Sequence, residues 1–294
     1  MSDNEHTVID DPFSVEAPDP FWKTFPIFLF FLPVTIVFLF LGLLTGLIFI
    51  PIFPYISLGW KDWASSFCNK CLLISIRMKV TTIIDDPKAL DAKLFAPTHT
   101  CLFESLVLLA QLGHFRPMTA EFTKSIPIFN KFAHSLDPLY VTRGKDAKGG
   151  LVAQLTESLN EGKYRHVIFP EGTYSNGKHV LQFKTGAFVP GHPVTPIAFT
   201  YPEYTPFWNR EESTFGVQIY RILGRLYTPI TIHYLPLYTP SEEEQRNPKL
   251  FAENVRKLIG QASGRSLSKY EVKDSPNYRM DIKKKNRKKM NTDK

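Results

Sequence analysis

Ile168-Phe-Pro-Glu-Gly-Thr173 is the stretch of this 294-residue chain that decides the fold. The apolar residues that lead into it predict a short buried strand, which Pro170 ends because proline has no N–H to donate to a sheet. Gly172 allows a sharp turn, which would leave the Glu171 carboxylate and the Thr173 hydroxyl at the end of the strand. Ligands of α/β sheets bind beyond the carboxyl ends of strands. For this stretch alone, an ordinary Pro-Glu-Gly turn without a ligand is the competing interpretation.

Strand-like and helix-like segments alternate along the rest of the chain. Short runs rich in apolar and β-branched residues predict strands over 79–84, 94–97, 118–123, 139–142, 167–169, 194–201 and 230–237. Apolar residues at helical spacing predict helices from just after His99, over 151–159 and 215–226, and from Pro248 onward. The helix over 215–226 also carries basic residues, so packing on the sheet and lying in a membrane interface are both open for it. This alternation predicts an α/β fold with a mixed, largely parallel sheet flanked by helices.

The N-terminal part of the chain is strongly apolar. No charged residue lies between Lys23 and Lys61. As a helix, residues 25–50 would be about 39 Å long, which is more than one perpendicular membrane crossing and less than two. Because this run contains prolines, one tilted span and a kinked re-entrant hairpin both remain open. The basic residues that follow it predict that the rest of the chain faces the cytosol.

Charge is distributed unevenly and suggests boundaries. The net charge is +7, yet residues 1–20 carry six acids and no Lys or Arg, which predicts a disordered acidic N-terminus. Residues 273–294 carry nine Lys or Arg and three Asp, which predicts a basic disordered tail. The membrane-embedded segment is predicted over 21–60 and the cytosolic domain over 61–272.

The polybasic run over 283–289 predicts binding to anionic lipid, with a nuclear address and plain solubility as alternatives. We expect no nucleic-acid partner. Three cysteines fit a reducing compartment. The lone Cys68-Asn-Lys-Cys71 pair has no second Cys or His pair at zinc spacing, so no metal site is predicted.

His99 and Glu104 form a candidate acid–base pair. On a continuous helix they would not share a face, because five residues turn the helix by about 140°. If His99 lies on the turn before the helix, its Nδ1–H can reach the Glu104 carboxylate and leave Nε2 to accept a proton. The spacing alone is a weak signal, since a single histidine is more often structural.

The combination of motifs strengthens this interpretation. A predicted strand runs into Arg143, and the Pro170–Thr173 turn ends another strand. A base, a guanidinium and a turn with unpaired amides are suited to a phosphate-bearing substrate whose hydroxyl must be activated.

With these motifs in this order, the chain resembles the glycerolipid acyltransferases, the lysophosphatidate acyltransferase superfamily. The matching blocks are His99 to Glu104, Tyr140-Val-Thr-Arg143, Phe169-Pro-Glu-Gly-Thr173 and Val194-Thr-Pro196. The lysophosphatidylcholine and lysophosphatidylethanolamine acyltransferase branch is more similar still. That likeness lies in the segments Phe169–Gly177, Phe183–Gly191, Tyr234–Glu244 and Asn254–Arg256, and the whole resemblance covers about residues 12–274.

The resemblance implies transfer of a fatty acyl group from acyl-CoA to the free hydroxyl of a lysophospholipid, in a membrane enzyme of phospholipid biosynthesis at the endoplasmic reticulum. His99 would be the general base and Glu104 would orient it. The acceptor would be held by Arg143, Pro170, Glu171, Gly172 and Thr173. Acyl-CoA is a co-substrate, and no cofactor or metal is implied.

Two other functions stay open. The acceptor could be lysophosphatidate or glycerol 3-phosphate. Alternatively, the chain could be an inactive relative that shapes membranes or binds lipid, because Glu104 stands where most of the superfamily has Asp.

Overall fold

The computed structural model of the chain describes residues 11–14, 19–120, 136–141, 148–202, 206–207, 214–276 and 279. Its main sheet has the strand order β1-β8-β7-β2-β5-β3-β4, and all neighbours are parallel except β7 and β8. The strands are β1 Met78–Ile84, β2 Leu94–Pro97, β3 Arg116–Ala120, β4 Leu139–Val141, β5 His166–Val167, β7 Thr195–Thr200 and β8 Thr228–Tyr234. A separate parallel pair joins β6 His179–Val180 to β9 Ser266–Leu267.

Helices cover both faces of the main sheet. They are α1 Phe21–Phe49, α2 Leu58–Ser75, α3 Glu104–Leu112, α4 Lys148–Glu161, α5 Phe215–Leu223, α6 Glu242–Arg246 and α7 Pro248–Ser263. Helices α3 and α5 lie on one side of the sheet, and α4 and α7 lie on the other. The predicted α/β fold with a mixed, largely parallel sheet is therefore confirmed. The start of α3 differs from the sequence prediction, since residues 100–103 form a turn and the helix begins only at Glu104.

The two faces of the sheet have separate cores, because alternate residues of a strand point to opposite sides. Strand β2 shows this division. Phe95 packs in one cluster with Leu108 of α3, whereas Leu94 packs in the other with Leu155 of α4 and Phe251 of α7. These side chains are all fully buried. Burial on both faces explains why the central strands β2 and β7 are buried along their length without alternation.

Helix α1 is long and apolar enough to cross a membrane. It runs unbroken through its two prolines, and within it Phe30 and Leu47 are 77% and 72% exposed, so it is not the core helix of a soluble fold. A 3₁₀ turn over Ile50–Tyr55 then reverses the chain into α2, as its prolines predicted. Whether α1 spans the bilayer or enters and returns stays a prediction.

Small residues let α1 and α2 pack closely. A Cβ on Gly42 would lie 2.9 Å from Leu72 Cδ2, and the Cys68 thiol donates to the Gly42 carbonyl over 3.1 Å. Helix α2 also exposes Trp60 and Trp63, so the apolar surface continues past residue 60, where the sequence placed the end of the membrane segment.

Helix α5 connects α1 to the sheet. Tyr220 of α5 shares a hydrogen bond of 2.8 Å with Thr24, and its ring stacks on Phe21. Ile222 of α5 belongs to the core under the sheet. The sequence left open whether this helix packs on the sheet or lies in a membrane interface. Packing on the sheet is therefore observed.

Residues at both predicted disordered ends make defined contacts. Phe13 is only 5% exposed and packs in a small cluster with Leu181 and Phe207. Ser275 is fully buried. The predicted disorder of residues 1–20 and 273–294 therefore does not extend to residues 11–14 or 273–275. The polybasic run over 283–289 lies outside the described residues, and the domain boundaries stay predictions.

Candidate active site

The strand order brings three chain segments together at the carboxyl ends of adjacent strands. Strand β2 lies between β5 and β7 and is parallel to both. His99 follows β2, Glu171 follows β5, and Tyr201 follows β7. Their side chains therefore meet beyond the carboxyl ends of adjacent strands, where α/β proteins place their ligand sites.

His99 and Glu104 make the contact that their spacing predicted. His99 Nδ1 lies 3.0 Å from Glu104 Oε2. The Thr100 amide donates to both carboxylate oxygens of Glu104, over 3.0 and 2.9 Å. Glu104 is fully buried, whereas the His99 side chain is 13% exposed. With Nδ1 bonded to the carboxylate, Nε2 is the ring nitrogen that a substrate hydroxyl would meet.

Tyr201 is a third partner of this carboxylate. Its hydroxyl donates to Glu104 Oε1 over 3.2 Å and lies 2.8 Å from the Cys101 thiol. Burial, together with the nearby Cys101 and Glu104, holds the pKa of Tyr201 well above its usual range. The hydroxyl therefore stays protonated and able to donate. No local spacing in the sequence points to Tyr201, because 97 residues separate it from Glu104.

Aromatic rings fix the orientation of the imidazole. The His99 ring stacks on Phe169 with centroids 3.8 Å apart, and its centroid lies 4.3 Å from that of Tyr174. Both aromatic residues flank the Pro170–Thr173 turn. The turn therefore contributes packing as well as backbone groups to the site.

Glu171 lies behind His99 and is only 1% exposed. Its Oε1 accepts the His99 backbone N–H over 3.0 Å, and its Oε2 accepts the Leu181 N–H over 3.4 Å. Burial raises the pKa of Glu171 to about 8, although the His99 amide, the Arg265 charge and the Leu181 amide oppose that increase. Glu171 was predicted to hold the acceptor. Its contacts in the structure are with the backbone that carries the base.

The other residues of the turn have different surroundings. Gly172 has a φ of +69°, as the predicted sharp turn requires, and a Cβ there would lie 2.8 Å from Lys184 Nζ. Pro170 accepts the Lys184 backbone N–H over 2.8 Å. The Thr173 hydroxyl lies 2.8 Å from the Ser275 hydroxyl. Lys184 is exposed and lies over the turn, so it is a cation near the site that the sequence interpretation missed.

Arg143 lies outside the described residues, so its predicted role is untested. Strand β4 ends at Val141, on the edge of the sheet and two strands away from β5. Among the described residues there is no group of three or more His, Cys, Asp or Glu side chains that could hold a metal ion.

Part of this chain is similar in sequence to known proteins. Residues 90–200 match the family named Acyltransferase. The human lysophosphatidylcholine acyltransferase 1 is 33% identical over 181 residues, which are 60% of this chain and 34% of that protein. Lysophosphatidylcholine acyltransferase 2 of Rattus norvegicus is 28% identical over 216 residues, covering 69% of this chain and 39% of that protein. The chain thus matches only about a third of the length of these relatives.

A solved structure has a similar fold. The crystal structure of the 1-acyl-sn-glycerophosphate (LPA) acyltransferase PlsC from Thermotoga maritima matches with a TM-score of 0.51 and 18% sequence identity. The match covers 84% of this chain and 99% of the other. At that identity the likeness concerns the fold alone.

Proposed function

We propose that this chain transfers a fatty acyl group from acyl-CoA to the free hydroxyl of a lysophospholipid, and the match of residues 90–200 to the family named Acyltransferase supports the proposal. Lysophosphatidylcholine and lysophosphatidylethanolamine are the favoured acceptors. The observation that carries the proposal is the buried Glu104 carboxylate on His99 Nδ1, beside the turn that holds Glu171.

The reaction would proceed by direct transfer. His99 Nε2 takes the proton of the acceptor hydroxyl as its oxygen attacks the thioester carbonyl carbon. The carbon–sulfur bond breaks, and the imidazolium returns its proton to the departing thiolate. Glu104 stabilises the imidazolium and fixes its tautomer, as the acid of a catalytic triad does. The hydrogen bonds of Glu104 support an intact site over the inactive relative.

The acceptor phosphate would lie next to the turn. Arg143 remains the proposed guanidinium for that phosphate, as a planar fork suited to two of its oxygens. Gly172 and Thr173 would shape the contact surface, and Pro170 would keep the turn rigid. The buried Glu171 would support the site through the His99 amide.

The membrane would supply the lysophospholipid. Helix α1 and the exposed tryptophans of α2 support attachment to a bilayer, with the sheet domain on the cytosolic side and the endoplasmic reticulum as the proposed organelle. The polybasic run over 283–289 would add contacts with anionic lipid.

The direct test uses the purified chain in lipid nanodiscs with a mixture of lysophospholipids and one labelled acyl-CoA. Products are separated by head group, and labelled phosphatidylcholine or phosphatidylethanolamine is the expected result. Label only in phosphatidate, or in lysophosphatidate made from added glycerol 3-phosphate, would contradict the favoured acceptors. No labelled product at all would contradict the activity.

The matched variants test the role of His99. We expect His99→Ala to lower the rate by about 10² to 10⁴, which is the usual effect of removing a general base. His233→Ala is the control, because His233 also pairs with a carboxylate, Asp85, over 2.7 Å. Asp85 follows β1 and His233 lies near the end of β8. Because β8 runs parallel to β1 and antiparallel to β7, this pair lies at the end of the sheet opposite to His99. A His99 variant within threefold of the His233 variant would remove His99 from the mechanism.

A further inference from the structure

Arg265 reaches toward the site from a distant part of the chain. It follows α7 and its left-handed cap residue Gly264, and it lies outside residues 90–200, which match the family. Its Nε atom is shielded from solvent. Its Nη1 donates to the Gly177 carbonyl over 3.2 Å, and its Nη2 donates to the Phe199 carbonyl over 2.7 Å.

These two carbonyls belong to the segments that hold the His99 loop. The Phe199 amide donates to the Thr98 hydroxyl over 3.0 Å, directly before His99. Gly177 has a φ of +75°, and a Cβ there would lie 3.3 Å from Thr100 Cγ2. The Arg265 guanidinium therefore connects the backbone on both sides of the loop that carries His99.

The charge of Arg265 acts on two buried carboxylates. Glu104 and Glu171 are 0% and 1% exposed, and the charge of Glu104 helps to raise the pKa of Glu171. Arg265 opposes that increase. Burial lowers the pKa of Arg265, and Glu171 and Glu104, with Tyr201, raise it in return. Like charges in one poorly solvated space repel unless a counter-charge is present.

Two titratable groups beside these carboxylates, Tyr201 and Cys101, supply no charge, whereas the exposed Lys184 is a cation over the Gly172 turn. Burial holds the pKa of Tyr201 and of Cys101 well above their usual ranges, so both stay neutral at working pH.

We propose that Arg265 is a positioning residue of the acyltransferase site. It is the counter-ion of the Glu104 and Glu171 carboxylates, and it joins the segment at Gly177 to the end of β7 beneath the His99 loop. This role rests on the proposed function. It means that a residue after α7 belongs to the site.

The first test is the pH profile of kcat/KM for Arg265→Gln and Arg256→Gln. Arg256 is the matched control because it is also buried, at 5% exposure, and donates to two backbone carbonyls, those of Val180 and Ser268, while its carboxylate partner is Glu253. Loss of the Arg265 charge makes ionised carboxylates less favourable. We therefore expect the acid limb of that variant to move up by about one pH unit, as removal of a nearby charge does, whereas Arg256→Gln leaves the limb in place.

Arg265→Lys separates charge from geometry. It keeps the charge but lacks the fork that reaches both carbonyls. We expect an acid limb near that of the parent with a lower kcat. A limb as displaced as that of the Gln variant would contradict the counter-ion role.

The second test needs no activity and also covers a poorly folding Arg265→Gln. The apparent Tm is measured at about pH 9, where Glu171 is ionised. We expect Glu171→Gln to recover part of the Tm lost through Arg265→Gln, because one carboxylate then remains to be balanced. It should not recover the loss through Arg256→Gln.

The outcomes separate the two proposals. An active parent with an unmoved acid limb in Arg265→Gln and with additive Tm losses would overturn the role of Arg265 alone. A parent that transfers no acyl group to any acceptor would overturn the proposed function, and the Tm cycle would still decide whether Arg265 balances Glu171.

Discussion

Replacing Glu171 by Gln should make the stability of the protein less dependent on pH. Gln keeps the size and one carbonyl oxygen, which can still accept the His99 N–H. It removes the one titrating group of that position. The Leu181 N–H would then face the amide nitrogen or a rotated side chain, which costs about 1 kcal/mol at every pH.

The direction follows from proton binding. Burial raises the pKa of Glu171 from its ordinary 4.5 to about 8 in the folded chain. Between these values the folded state binds more protons than the unfolded state, so the free energy of unfolding falls as the pH rises. The resulting loss of stability is absent below pH 4.5 and complete above about pH 8.

The magnitude comes from the width of that window. It spans about 3.5 pH units, and each unit corresponds to about 1.4 kcal/mol, so the upper limit is about 5 kcal/mol. For a domain of this size that corresponds to a change in Tm on the order of 10 °C. Relative to the parent, Glu171→Gln should therefore gain stability from pH 5 to about pH 8 and show little further gain above that pH.

The measurement is a series of thermal unfolding curves in detergent micelles at each pH. Glu244→Gln is the control, because Glu244 is also buried but has the opposite shift. Burial would raise its pKa, but hydrogen bonds from Tyr238, Ser241 and Asn254 hold that pKa below its usual value. The effect of Glu244→Gln on Tm should be constant above pH 5. A constant difference between Glu171→Gln and the parent across the series would refute the reasoning.

Three further predictions concern the base, the N-terminal contact and the membrane. Glu104→Asp should keep partial activity, since the charge remains while the reach shortens. Glu104→Gln should lose more activity, because it cannot stabilise an imidazolium. Equal kcat values for these two variants would contradict this. Phe13→Ala should destabilise the folded chain by about 3 kcal/mol, as truncation of a buried Phe does, whereas the exposed Phe30→Ala should leave the apparent Tm unchanged. The full chain, and the chain without residues 281–294, should stay in membranes washed with high salt and alkaline carbonate, because α1 would bind by apolar burial. Recovery in the supernatant would contradict membrane attachment through α1.

Local sequence was sufficient for the order of the main elements and for the central contact of the site. Short apolar runs that alternate with helical spacing predicted the parallel strands, and the end of such a strand predicted where His99 and the Pro170–Thr173 turn lie. The contact between His99 and Glu104 was predictable because both residues belong to one turn. Nothing beyond side-chain reach was needed for it.

Contacts between distant segments could not be predicted in the same way. Tyr201 reaches Glu104 because β7 lies beside β2, and Arg265 reaches Gly177 because the chain returns beneath the site after α7. Neither pairing leaves a spacing signal in the sequence. The orientation of Glu171 was also beyond local reasoning, since its side chain points into the body, where the His99 amide binds it.

The turn before α3 places two donors against the Glu104 carboxylate. The carboxylate must reach back to the Thr100 amide and to His99 Nδ1 at once, and residues 100–103 remain a turn so that both donors face it. An Asp at this position would be about one carbon–carbon bond shorter and would need the helix to start closer to His99. Tyr201 is a third donor group to the same carboxylate. The Glu104 carboxylate is thus engaged by three neighbouring residues, and these contacts support the proposed active enzyme over the inactive relative.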